Sequence, residues 1–541
     1  MSLLDLMARV RILAGYFALI LCGGVAYAQT GPAITENAAS GAKTASELLT
    51  KLDQLVEKNQ QLEKQNHELI DEINALRQFL AQQTAGPSAP KSESATDTTN
   101  SVVAQQNTTN KQAGANKQAA TGKGNETSPQ DLGDQDDKTL LRQASSGNPA
   151  IFGEFNPGRG FTVGRSEYGE LNLSGYMAAR YLNQFPGDQA GTDHLGRPVP
   201  VDPRQDFQFH RVMLFSQGWL FSPKFQYSTF LWTVQDTNQV AVGGALYYDF
   251  GKYMNLGIGW NAYPGTMSLQ GSHPYWLSYD RVMADEFFRP YFSQGVFAKG
   301  NILPRLEYRW MVGNNNSNLD VPAAKLDRGL SGGFAITWLP TTGEFGPRGA
   351  FGDFEGHEKL ATRFNFAYTY SPEDRQAPLG SPAANTTLRL SDSLNVFDID
   401  ALARGVTVER ANYQLIASAG GIKYHGLFLQ SEGYWRTLDN LVADGPLPVS
   451  AIHDSGFYVQ LGYMVVPKLV ELYGATSYIF GQYGNSKEFI AGGNYYPWKS
   501  RNARLNVQLI NVDRSPVNST FGFYIGQLKG QVFSVGMTAF Y

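Results

Sequence analysis

From about Gly160 onward the chain alternates apolar and polar residues in short runs. In "RLEYRWMV", Arg305, Glu307 and Arg309 alternate with Leu306, Tyr308 and Trp310. In "TRFNFAYTY", Arg363, Asn365, Ala367 and Thr369 alternate with Phe364, Phe366, Tyr368 and Tyr370. The closing run "QVFSVGMTAFY" sets Phe533, Val535, Met537, Ala539 and Tyr541 against Ser534, Gly536 and Thr538. Successive side chains of a strand point to opposite faces, so each run predicts a strand with one apolar and one polar face. The stretch "KYHGLFLQSEGYW" is less regular, punctuated by Tyr424, Phe428 and Tyr434. Gly, Pro and Asn/Asp clusters such as "VGNNNSN", "PTTGEFGPRG" and "SPEDRQAPLGSPAANTT" separate the strands as turns or loops.

Two architectures could use such strands. A soluble sandwich would bury the apolar face and hide the aromatics. A membrane barrel turns that face to lipid, keeps polar side chains in the lumen and places aromatics at both interfaces. Composition favours the barrel: 13% aromatic and only 17% charged residues, with 57 glycines in 541 residues. Aromatics also cluster at strand ends, as in "NYYPW" and "ALYYDF". An open sheet leaves backbone groups unpaired in lipid, so the strands must close. The fold class expected is therefore an all-β transmembrane barrel. The net charge of −4 and the lack of a long basic block argue against nucleic acid as a partner.

The first 150 residues follow different patterns. Arg9 and Arg11, then "ILAGYFALILCGGVA", then Ala26 and Ala28, form a secretory signal over residues 1–28 with cleavage after Ala28. Leu19 suggests lipidation at Cys22, but Leu21 directly before the cysteine is too bulky for that site. Residues 45–83 carry a heptad repeat: Leu48, Leu52, Leu55, Asn59, Leu62, Asn66, Leu69, Ile73, Leu76 and Leu80. Thr44 and Glu47 make a capping box before it, and Gly86-Pro87 stops it. So narrow a stripe predicts a self-associating coiled coil, with the asparagines fixing register. Residues 84–148, rich in Asn, Gln, Thr, Ala and Lys, predict a disordered linker. "DQDD" within it lacks the glycine and distal Glu of a calcium loop and reads as a solvated acidic patch.

Residues 158–541 resemble the phosphate-selective porin O and P family of Gram-negative outer membranes. "GFTVGRSEYGELNLSGYMAARY" is similar to that family's opening strand, and "DFQFHRVMLFSQGWLF" to its second. His210 precedes Arg211 where the family more often has two arginines. "YHGLFLQSEGYWR", "GFYVQLGYMV" and "GGNYYPWKSRNARLNVQLI" resemble the late strands, and the aromatic ending resembles the signal read by the outer-membrane barrel assembly machinery. The resemblance implies a barrel of about 16 antiparallel strands in outer-membrane lipid. It further implies a homotrimer that passes small anions, phosphate among them, or other hydrophilic solutes, without a cofactor. Phe533, Val535, Met537 and Tyr541 would be the assembly signal.

The candidate site is the lumen. The long irregular run "AYPGTMSLQGSHPYWLSYDRVMADEFFRP" lies between the strands "MNLGIGWN" and "SQGVFAKG", and is expected to fold inward as a constriction. Arg281 and Arg289 are its positive residues, beside Asp280, Asp285 and Glu286. They either set a transverse field or pair with one another and brace the loop. Arg305, Glu307, Arg309 and Arg363 are expected on the lumen wall. From residue 151 basic and acidic residues nearly balance, which predicts a wide, weakly selective pore. The seven histidines are scattered without His-Glu-x-x-His, Gly-x-Ser-x-Gly or a phosphate loop, and His210, His273 and His425 read as wall residues. An enzyme is not expected, nor any metal. An alternative reading makes the barrel an anchor that tethers the envelope to peptidoglycan through a periplasmic coiled coil.

Overall fold

The computed structural model describes residues 155–541 except 157–158, 188, 235–238, 317–328, 377–387 and 520–521. The expected signal peptide, coiled coil and linker lie outside the described residues. Twenty strands follow in order: β1 Phe155–Asn156, β2 Gly160–Ser166, β3 Gly169–Phe185, β4 Gln189–Thr192, β5 Pro198–Val201, β6 Gln205–Leu220 and β7 Ser222–Val234. Next come β8 Gln239–Asp249, β9 Asn255–Ala262, β10 Phe292–Leu303, β11 Leu306–Gly313, β12 Ser331–Trp338, β13 Ala361–Asp374 and β14 Val408–Tyr424. The last are β15 Leu427–Ala443, β16 Ile452–Val466, β17 Val470–Phe480, β18 Ser486–Tyr495, β19 Ala503–Asp513 and β20 Gly530–Phe540. A six-residue helix, α1 (Met283–Phe288), lies between β9 and β10.

Strand β3 pairs antiparallel with β6, and each strand from β6 to β20 pairs with the next. Pairing of β20 with β3, Gln531 opposite Phe185 through Phe540 opposite Tyr176, closes the ring. The result is a closed antiparallel barrel of 16 strands. It leaves no sheet edge, which is what lipid demands of a spanning sheet. Beyond β20, β2 takes over the same edge of β3, with Phe161 opposite Leu173. No helix among the described residues is long and apolar enough to cross a membrane.

The two faces of the wall invert the usual order of a soluble protein. Leu429, Trp435, Leu461, Tyr463, Leu472, Phe489, Leu509 and Met537 are exposed on the outside, while Gln430, Glu432, Arg436, Gln460, Glu471, Glu488 and Asn506 are buried inside. Alternation in β15 shows the rule: Phe428, Gln430, Glu432, Tyr434, Arg436 and Leu438 are buried and their neighbours are not. Buried polar groups of this kind need hydrogen-bond partners, and the lumen supplies them.

At one end of the barrel the connections are tight. Pro304 and Arg305 alone join β10 to β11, and His425 and Gly426 join β14 to β15. Pro304 followed by Arg305 at φ 68° suits a type II turn, whose third position requires positive φ. The other end carries the long connections, which pack on one another. Gln184 donates to the Phe523 carbonyl (2.8 Å), and His194 Nδ1 lies 2.6 Å from Asp392 Oδ2. One connection breaks the pattern: residues 339–360 start from the tight-turn end and fold into the barrel.

Candidate functional site: the lumen

Residues 263–291 enter the lumen from the long-loop end. A backbone with little regular structure can sit at membrane depth only where protein or water satisfies its polar groups. Here the inner wall does so. The Met267 N–H donates to Glu432 Oε1 (2.9 Å), that of Met283 to Glu488 Oε1 (2.5 Å) and that of Ala284 to Ser477 Oγ (3.2 Å). In return Asn494 donates to the Leu277 carbonyl (2.9 Å) and Arg504 to that of Trp276 (2.5 Å). Apolar groups complete the seat. Phe288 stacks on Tyr434 with ring centroids 5.1 Å apart, and Arg436 covers Phe287 while pairing with Asp454 at 2.6 Å. Much of the polar wall on β13 to β20 thus holds the loop rather than facing water. The expectation of a wide pore is corrected accordingly: infolded chain fills this side of the lumen.

Within the loop the charges are consumed locally. Arg289 grips Glu286 through two hydrogen bonds of 2.7 and 2.9 Å, and its guanidinium lies over Tyr291. Arg281 lies 4.1 Å over Trp276, donates to Ser268 Oγ, and stands 3.6 Å from Asp285 and 3.9 Å from Asp280. Burial, and after it the neighbouring Arg289, pushes the Arg281 guanidinium down to about 10 against the pull of Glu286, Asp285 and Asp280. Asp280 also meets Arg211 of β6 at 3.1 Å. Burial would raise its carboxyl, but Arg211 and Arg281 outweigh burial and hold it below the usual range. His273 is driven well below its ordinary value, by burial first and then by Arg211, Arg281 and Arg348.

Residues 339–360 meet this loop from the opposite end. The Phe351 N–H donates to the Tyr275 carbonyl (2.9 Å), which joins the two infolded segments. Phe345 and Phe351 pack against Phe428, and Arg363 lies 4.1 Å over Phe345 while donating to the Gly349 carbonyl (2.8 Å). Arg501, between β18 and β19, clamps the segment. It holds both oxygens of Glu355 at 2.9 Å and donates to the carbonyls of Phe351 and Gly352. Burial would raise Glu355, but Arg501 and Lys423 bring it down to about 2. His357 bridges Asp353 and Glu344, the latter at 2.9 Å. Burial alone would lower this imidazole, yet its two carboxylate partners hold it up at about 9. Ligating atoms of Asp353, Glu355 and His357 lie within 4.8 Å of one another, as in a metal site. With Glu355 committed to Arg501 and His357 already between two carboxylates, the cluster is an ion-pair network.

The sequence-derived wall residues fall into three settings. Arg363 faces inward from β13 but is covered by residues 339–360. Glu307 and Arg309 face inward from β11 and are half-exposed, and Lys299, opposite Arg309 on β10, is exposed. Arg305 is not on the strand. It lies in the preceding turn, exposed, and donates to the Pro340 carbonyl (2.7 Å). Arg348, which the sequence did not single out, is exposed beside Arg309. The inner wall of β10 and β11 is therefore open to water at its tight-turn end, around Lys299, Glu307 and Arg309, while Phe297 and Met311 farther along the same face are buried.

No family model matches the chain, and no curated protein matches it in sequence. Its fold is similar to solved porin structures. One is an anion-selective porin from Comamonas acidovorans, with TM-score 0.42, 10% identity, and coverage of 69% of this chain and 100% of that one. Another is the outer membrane channel DcaP of Acinetobacter baumannii, with TM-score 0.41, 10% identity, and coverage of 70% and 99%. A third is OmpF of Salmonella typhi in complex with daunomycin, with TM-score 0.40, 13% identity, and coverage of 69% and 98%. These are likenesses at low identity, and the reading of the site rests on its own geometry.

Proposed function

We propose that the chain is a bacterial outer-membrane porin, a channel for passive diffusion of small hydrophilic solutes. The observation that carries this reading is the closed 16-strand barrel with an apolar exterior and a loop folded into its lumen beside exposed Lys299 and half-exposed Arg309. A barrel built as a bare anchor has no use for inward cations kept in water. Among the described residues, lumen hydroxyls bonded to carboxylates, such as Ser477 to Glu488, hold the infolded loop, so transport fits the arrangement better than catalysis.

The same reading places the barrel in outer-membrane lipid as a homotrimer, inserted by the assembly machinery, with residues 45–83 as a periplasmic coiled coil. Phosphate is one candidate solute, suggested by the sequence resemblance. Binding of the full chain to isolated peptidoglycan tests the tether role separately. Liposomes containing the purified protein should swell in isotonic sugars at rates that fall with sugar size. Liposomes that stay impermeable to every sugar and small ion contradict the channel.

A further inference from the structure

The tight-turn end of the barrel carries a ring of cations. Lys224, Lys252, Arg305, Lys359, Lys468 and Lys499 lie in or beside six different connections there, and all are exposed. Among the described residues Glu167 and Glu358 are the only exposed acids at that end, and none of the five lysines has a carboxylate within ion-pair distance. The long-loop end differs. There Arg410 pairs with Asp374 at 2.8 Å, and Lys487 and Lys529 share Asp513 at 3.5 Å each.

Two of the turn lysines occupy backbone positions that suit other residues. Lys468 has φ 59° and Lys499 φ 52°, in the left-handed region where glycine or asparagine stands at less cost. Turn geometry alone does not call for lysine there. Large rings accompany the charges along the chain. Phe221, Tyr253 and Trp498, close to Lys224, Lys252 and Lys499, are 80%, 62% and 76% exposed. The Lys252 ammonium lies 4.9 Å from the centre of the Tyr253 ring. Aromatic rings at the rim of a membrane barrel sit at the level of the lipid headgroups. A lysine beside such a ring holds its ammonium among the headgroup phosphates, with its methylene stem along the apolar surface.

We propose that the tight-turn rim is a binding surface for anionic phospholipids, recognised by their headgroup phosphodiester and net negative charge. In the porin reading this is the leaflet on the periplasmic side, where barrels place their short turns. The proposal goes beyond the channel reading and needs from it only that the barrel spans a membrane. Lipid fits the rim better than a cell-wall polymer does, because a polymer would leave Phe221 and Trp498 in water.

Full-length protein in phosphatidylcholine vesicles carrying a trace of spin-labelled lipid tests the surface. The motionally restricted fraction gives the association of phosphatidylglycerol relative to phosphatidylcholine. The wild type should prefer phosphatidylglycerol about fivefold, the factor for one basic residue near a charged surface, and lose most of that preference in about 1 M KCl. K224Q/K252Q/K359Q/K468Q/K499Q should bring the two lipids to parity, and the long-loop variant R410Q/K487Q/K529Q should leave the preference unchanged. K468N/K499N covers the case where the five-lysine variant fails to fold. Asparagine suits positive φ, so this barrel should be as heat-stable as the wild type and show a reduced preference. A wild type that takes both lipids equally overturns the proposal, as does a folded five-lysine variant that keeps the preference. If that variant keeps the preference and no longer sediments with isolated peptidoglycan, the rim belongs to the cell wall instead. The measurement reads no current, so the channel and the lipid surface stand or fall separately.

Discussion

Gly175 and Tyr541 exchange both backbone hydrogen bonds across the seam of the barrel, at 3.0 and 2.9 Å. The Tyr541 ring lies against Gly175, so a Cβ there would come within 2.5 Å of the ring and its hydroxyl. Phe161 of β2 stands beside it, ring centroids 6.4 Å apart. The last residue therefore sits where β20 ends and β2 takes over the edge of β3.

That junction predicts a graded series. Truncation after Lys529 removes β20 and leaves β3 and β19 unpaired along one edge, at several kcal/mol per group in lipid. No heat-modifiable, detergent-resistant barrel should form. G175V should be milder, because the atoms it meets belong to the far end of a side chain that can swing away. Its barrel should form but unfold at a lower temperature in detergent. A normal heat-modifiable band from the truncated chain contradicts this account of closure.

R501A should release residues 339–360. Glu355 would lose a two-pronged partner in a half-buried site, a change that costs about 2–4 kcal/mol when the remaining charge stays uncompensated. Hydrogen exchange in 343–357 should accelerate while exchange in β14 to β18 stays slow. The double variant R501A/E355A should cost less than R501A, since no orphaned carboxylate remains. Equal protection of the segment in R501A and wild type would assign its anchoring to the phenylalanines.

The same segment should loosen as pH rises. An imidazole raised from 6.5 to about 9 stabilises the folded segment fully below pH 6.5 and loses that contribution as pH climbs through about 9. Asp353 and Glu344 are lowered, burial notwithstanding, by hydrogen bonds from His357, so their contribution is lost only in acid. Open-channel current noise should rise between pH 7 and 10 in the wild type and rise less in H357A. A wild-type trace that is unchanged across the window removes His357 as an anchor.

Removing Arg289 together with Glu286 should leave ion selectivity nearly intact. The two charges cancel within one bidentate pair, and no net charge leaves the lumen. The reversal potential of R289A/E286A should stay within a few millivolts of wild type, whereas R348Q should shift it clearly. A large shift in the double variant would return the loop arginine to a selectivity role.

Strand existence and facing were legible because lipid and lumen impose opposite demands on alternate residues, as in Arg363 and Phe364. The first infolded segment was legible too, as a long aromatic-rich run between two strands with nowhere outside to bury Trp276, Tyr279 or Phe288. The second was not. "PTTGEFGPRG" reads as a turn because Gly343, Gly346 and Gly349 dominate it, and indeed all three take positive φ. The missed signal was Phe345, Phe351 and Phe354, apolar rings in a stretch that a plain turn would leave in water. Arg305 fits the alternation of its strand, yet Pro304 before it marks a turn. The use of the inner wall was beyond reach of pattern alone. Glu432 serves the Met267 N–H from 165 positions away, and no local periodicity records such a pairing.

The central claim is that solutes cross past the exposed inner wall around Lys299, Glu307 and Arg309 while the side lined by β17 and β18 is filled. Single cysteines at two inward positions test it most directly, K299C on the exposed wall and S477C beneath the loop, where Ser477 Oγ is bonded to Glu488. Each variant is recorded in a planar bilayer while a charged methanethiosulfonate reagent is added. The account predicts a stepwise loss of current in K299C and none in S477C. Loss of current in S477C with none in K299C would contradict it.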